Sequence, residues 1–170
     1  MVKLYPDPHL RRAALPVRPG SPEAAEASAA LRKAFHEVHA LGLAANQIGL
    51  PYRVILVRLG DEEKVLLNPV ITQRSPELVV DSEACLSLPG VDCDVPRAEW
   101  VVLQAQDEQG NPVELKLEGL EARVIQHEID HVDGVLYVDH LPAEERRSVL
   151  RAYKQVRERG KEGQPSLKQI

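Results

Sequence analysis

The sequence predicts an α+β fold. Three observations carry that expectation: one stretch of helical period near the N-terminus, several short strand-like runs in the middle, and two helical stretches toward the C-terminus. Helix, then several antiparallel strands, then helix is the order of an α+β layer arrangement. No repeat, linker or second domain is visible. Residues 1–170 are therefore expected to form a single domain, with mixed or antiparallel strands packed around a central helix and with N- and C-terminal helices beside it.

The elements follow in order. Residues 3–20 hold four prolines and read as an extended, turn-rich lead-in. Ser21-Pro22-Glu23 offers a cap, a proline at the first helical position and an acid in the first turn. Ala24, Ala27, Leu31, Phe35 and Val38 then keep helical spacing, so this helix is expected to run to about His39. Residues 40–53 are small and apolar and precede a strand at 53–59. Asp61-Glu62-Glu63 turns the chain into a short strand, Lys64–Leu67, expected to end at Asn68-Pro69. Leu78–Val80 reads as another short strand and residues 83–97 as irregular. EWVVLQAQ (99–106) and the alternating VELKL (113–117) form a hairpin around DEQGN. A helix begins near Glu118 and stops at Asp133-Gly134, Val135–Val138 is expected as a short strand or extended piece, and a last helix opens at Pro142 with Val149, Leu150, Tyr153 and Val156 on one face. Gly160 ends it, and the tail from about residue 160 is expected to fray.

Composition narrows the function classes. At 44% hydrophobic and 28% charged residues the chain is ordinary for a soluble globular protein. No apolar run is long enough to cross a bilayer and no signal-like segment opens the chain, so the expected location is cytoplasmic, with no membrane partner. Two cysteines, Cys85 and Cys93, favour a metal or thiol role over a disulfide in that setting. A net charge of −5 argues against sequence-specific nucleic-acid binding. The charge is uneven, however: from Leu141 to Ile170 there are eight Lys/Arg against four Glu. That basic C-terminal helix is either a solvated face or a contact for an anionic partner such as the ribosome.

Chemistry concentrates at residues 126–134, QHEIDHVDG. On a helix His127 and His131 project from one face, with Glu128 beside them. This is the HExxH arrangement, two imidazoles for one metal ion and a carboxylate able to take a proton from coordinated water. A catalytic site of this kind usually has a third protein ligand. Asp133, Asp139 and His140 are downstream candidates, and Cys85 is an upstream one.

Two further segments, taken with this one, bear on that choice. ALGLAANQ (40–47), EACLS (83–87) and QHEIDHVDG resemble, in order and with fitting separations, the GxGLAAxQ, EGCLS and QHExDHLxG motifs of the peptide deformylase family. PDPHLRR, LLNPVI (66–71) and LYVDHL (136–141) support the likeness, which covers nearly all of the chain up to about Leu141.

The resemblance implies metal ligands at Cys85, His127 and His131 and a catalytic acid–base at Glu128. It also implies that the Gln47 side chain and the Leu86 backbone N–H polarise the substrate carbonyl, and that Gly42 lines the peptide groove. Leu43 and Leu86 would help enclose the small formyl group, and Leu41, Leu120 and Val124 are expected to wall the methionine pocket. The implied ion is Fe2+, with Zn2+, Ni2+ or Co2+ as substitutes, and the implied substrate is the N-formylmethionyl end of nascent peptides. Three positions depart from the family's pattern: Ala40 and Ala84 replace glycines, and Arg123 stands where an apolar residue is common beside the side-chain pocket. A positive φ at position 84 would put strain on an alanine. Two rival functions remain, an HExxH metallopeptidase with a downstream ligand, and a peptide-binding relative whose catalysis Ala84 has spoiled. An intact Glu128 weighs against the second, since a structural metal needs no adjacent base.

Overall fold

The computed structural model describes residues 1–160. Helix α1, Pro22–His36, starts as its sequence demands: the Ser21 hydroxyl accepts from the Ala24 N–H, and Pro22 occupies the first turn. It ends three residues short of His39. Strands β1 (Gly42–Ala44), β2 (Val54–Leu59), β3 (Glu62–Arg74), β6 (Trp100–Gln106) and β7 (Pro112–Glu118) form a sheet in the order β1-β2-β3-β6-β7. Strands β4 (Leu78–Cys85) and β5 (Leu88–Ala98) form a separate two-stranded sheet. Every strand pairing is antiparallel, and one isolated parallel bridge joins Leu15 to Tyr52. Helix α2 is Gly119–Val132 and helix α3 is Ala143–Glu158. The α+β expectation holds, with the HExxH segment on α2.

Both faces of the larger sheet are covered, which explains why Val54–Val57 is an unbroken apolar run rather than an alternating one. Ile55 and Val57 face Ala122, Ile125 and Ile129 of α2, while Val54 and Leu56 face Leu31 and Phe35 of α1. A third apolar cluster joins Leu10, Cys85, Leu88, Val95, Tyr137 and Tyr153, and so ties the β4–β5 hairpin to α3.

Four expectations are corrected. Strand β3 does not end at Asn68-Pro69 but passes through it as a bulge, with a register shift between Leu67 and Val70. Asn68 tolerates φ 54°, and its amide is held by the Val17 backbone and by Gln106. Residues 83–97 are not irregular: β4 runs into Cys85 and β5 runs back from Leu88. The two prolines of β5 are accommodated because its sheet has only two strands. Gly42–Ala44 adds a strand where only a small apolar segment was expected. Tyr137–His140 is a 3-10 turn rather than an extended piece. Among the described residues no helix is long and apolar enough to cross a membrane. The tail expected to fray lies, beyond Gly160, outside the described residues.

Candidate metal centre

Helix α2 brings both imidazoles to one buried point. His127 and His131 are each 1% exposed, and their Nε2 atoms lie 3.2 Å apart. The Sγ of Cys85 lies 3.3 Å from His131 Nε2, and all three donor atoms fall within 4.8 Å of one another. Two imidazole nitrogens bound to one tetrahedral ion would be about 3.3 Å apart, so the spacing fits a single divalent metal. The third donor comes from the end of β4, not from α2. There the strand breaks into a turn and the Ser87 N–H approaches the sulfur at 3.4 Å. The downstream candidates are engaged elsewhere: Asp133 with Arg53, Asp139 with Arg11, His140 with Asp130. A metallopeptidase ligand set thus has no counterpart at those positions.

Behind the ligands stands a buried charge cluster whose centre, Glu83 and Arg97, sequence reasoning missed. Glu83 accepts from His127 Nδ1 at 2.8 Å, which leaves Nε2 of that ring for metal. Arg97 grips Glu83 with two nitrogens, at 2.8 and 2.9 Å, and Arg123 adds a third contact at 2.7 Å. Burial opposes the charge on Glu83, but Arg97 and His127 outweigh it and hold the carboxyl well below its usual range. The available signal was position: on a strand, Glu83 and Cys85 share a face. Arg97 also meets Asp130 at 2.5 Å, and Asp130 meets His140 at 2.7 Å. Gln126 instead straps the end of β5, exchanging 3.0 Å hydrogen bonds with the Ala98 backbone.

Glu128 sits on the same turn as His127 with both carboxylate oxygens buried and without hydrogen-bond partners. Burial, and then the charge on Glu83, raises its carboxyl well above the ordinary value. Gly42 explains how the carboxylate fits: a Cβ there would lie 2.7 Å from Glu128 Cγ and 3.0 Å from its Cδ. Gln47, in a 3-10 turn Ala45–Ile48, is oriented by its own Oε1, which accepts from the Ala44 N–H at 3.0 Å. Its Nε2 therefore faces the centre, donating to Ser87 Oγ at 3.1 Å and lying 3.8 Å from Cys85 Sγ. Leu86, half-buried, follows the cysteine in the turn. Among the residues expected near substrate, Leu120 is 54% exposed and Leu41 is half-buried, whereas Leu43 and Val124 are enclosed.

The departures from the family pattern have simple consequences. Among the described residues Asn68 is the non-glycine with positive φ, so Ala84 carries no left-handed strain; it lies in β4 opposite Asp92. Ala40 packs at the margin of the α1 cluster. Arg123 is buried and spent on Glu83 and on backbone carbonyls rather than on a side-chain pocket.

Comparison with known proteins agrees with this geometry. A family model described as Polypeptide deformylase matches residues 1–147. A peptide deformylase of Thermus thermophilus is 44% identical over 168 residues, covering 89% of this chain and 86% of that protein. One from Alkalilimnicola ehrlichii is 37% identical over 164 residues, covering 94% and 92%. The crystal structure of peptide deformylase from Thermus thermophilus superposes with a TM-score of 0.83 at 44% identity, covering 92% of this chain and 95% of that one.

Proposed function

We propose that this chain, which belongs to the polypeptide deformylase family and is a metal-dependent hydrolase, removes the formyl group from the N-terminal methionine of newly made proteins. The carrying observation is the buried meeting of Cys85, His127 and His131 beside an unpartnered Glu128. One thiolate and two imidazoles suit several divalent ions. Following the family likeness, we assign Fe2+, with Zn2+, Ni2+ or Co2+ able to replace it. Such an ion, when bound, supplies Lewis acidity to a coordinated water and to the carbonyl under attack.

The chain's own groups do the rest. Glu128 takes a proton from the attacking water, whose oxygen bonds to the formyl carbon. Gln47 Nε2 and the Leu86 N–H donate to the oxygen on which negative charge grows. A donor of this kind is worth about 3 kcal/mol, or roughly a hundredfold in rate. Glu128 then passes its proton to the leaving amine as the formyl C–N bond breaks and formate departs. The apolar burial that raises the Glu128 carboxyl suits a group that must both hold and release a proton.

Substrate placement follows from the sheet. Among the described residues strand β1 is an edge, paired only with β2, so the backbone of Gly42 and Leu43 can take an extended peptide as an added strand. Leu41 and Leu120 offer apolar surface to the methionine side chain, and Val124 backs them from the core. We further assign residues 1–170 to one domain, the chain to the cytoplasm, and the basic face of α3 to ribosome contact.

The test is formate release from formyl-Met-Ala-Ser by protein loaded anaerobically with iron. Release at one metal per chain is expected. Full metal loading without release would favour a peptide-binding role.

A further inference from the structure

We infer that Arg123 is a positioning residue for the metal centre, tying the helix that bears His127 and His131 to the strand that bears Cys85. The inference rests on the metal-site reading above.

Arg123, His127 and His131 stand at i, i+4 and i+8, so all three leave one face of α2. Two of them converge on the metal position and the third reaches the β4–β5 hairpin. Arg123 Nη1 donates to Glu83 Oε2 at 2.7 Å and to the Val95 carbonyl at 2.8 Å, and it lies 3.4 Å from the Asp81 carbonyl. Nη2 donates to the Val79 carbonyl at 2.8 Å. One side chain therefore holds both strands of the hairpin. Cys85 lies two residues beyond Glu83 on β4, so a shift of that strand against α2 would change the distance from sulfur to the imidazoles.

Glu83 shows what the grip controls. Its Oε1 meets His127 Nδ1 and Arg97 Nη2, while its Oε2 takes Arg123 Nη1 and Arg97 Nε. Arg97 belongs to the hairpin itself and reaches α2 through Asp130, about two turns along the helix from Arg123. The two ties thus bracket His127. Arg123 differs in reaching three backbone carbonyls as well, which only a planar fork with several donors can do at once. Lysine would keep the charge but, as a point donor, could not span Glu83 and the carbonyls together. Methionine would keep much of the volume while leaving the carboxylate short of a cation and the carbonyls short of donors.

The experiment uses Co2+ alone as probe, read by its thiolate charge-transfer band and by its dissociation constant. Parent protein, Arg123→Lys and Arg123→Met are compared. Arg32→Met, which breaks an exposed ion pair with Glu108, reports what loss of a distant contact does. The Met variant should bind Co2+ about 10- to 100-fold more weakly and the Lys variant about tenfold or less. Both should shift the charge-transfer band, while Arg32→Met should leave it unchanged. If the Met variant does not fold, the Lys variant decides alone by the same two readings. Parental affinity and an unshifted band in the folded Arg123 variants would overturn the role. A parent protein with no thiolate band would remove the metal-site reading itself.

Discussion

Burial favours the protonated forms of Glu128 and Cys85, and chemistry requires both groups to lose that proton. For Glu128, burial and then Glu83 raise the carboxyl well above its ordinary value. The folded state therefore keeps a proton that the unfolded chain releases near pH 4.5. Its stabilising contribution is complete below that pH and is lost as pH rises through the folded value. Above the range in which His131 titrates in the unfolded chain, metal-free stability should therefore fall as pH rises. Glu128→Gln should flatten that slope, keep metal binding and abolish turnover. Denaturant titrations of chelated protein check the first point, and equal slopes for the two proteins would contradict it. For Cys85, burial pushes the thiol up to about 12, so binding as thiolate must release a proton. Metal affinity should then rise about tenfold per pH unit near neutrality. Calorimetry in buffers of different ionisation enthalpy counts the protons, and a count of zero would exclude thiolate ligation.

At the scale of elements, what was legible depended on whether the signal was local. Both imidazoles and Glu128 follow from helical spacing, and α1 from its cap and proline. Cys85 carries no such spacing signal: its thiol makes it one ligand candidate among several, and family likeness singles it out together with Gln47. Glu83 and Arg97 carry no local signal in the sequence, and Arg123 stands out only as a departure from the family pattern, because burial of an ion is set by partners far along the chain. Strand β4 was underestimated for a related reason: Leu78–Ser82 is exposed throughout, so pairing with β5 rather than any alternating pattern defines it. One contact between elements lends itself to a direct test. Gly42 has no left-handed φ, so its requirement is space, where β1 meets Glu128 on α2. Gly42→Ala should cost about 1–3 kcal/mol through overpacking. By displacing the carboxylate it should lower kcat at least about tenfold. Thermal melts and steady-state rates on iron-loaded protein check both, and unchanged kcat would mean that Glu128 can yield without loss of function.

Across the whole molecule, the N-terminal segment joins the active turns to α3. The Lys3 N–H donates to the Gln47 carbonyl at 2.6 Å and the Tyr5 N–H to the Ser87 carbonyl at 2.8 Å. The Tyr5 carbonyl in turn accepts from the Tyr153 hydroxyl and from Arg157. Helix α3 is thus anchored on its inner face by Tyr153, which leaves Arg147, Arg151 and Lys154 exposed along one outer stripe at i, i+4 and i+7. On an otherwise acidic chain such a stripe suits a polyanion, and attraction to phosphate should weaken steeply with salt. Reversing all three charges to Glu should leave Tyr153 packed and hydrolysis of a short formyl peptide within about twofold of the parent, since nothing buried is altered. Cosedimentation with ribosomes should fall by at least about tenfold at low salt, and the parent protein should lose the same binding as salt is raised. Binding that survives the reversal would make the stripe a solvated face and place any ribosome contact elsewhere on the chain.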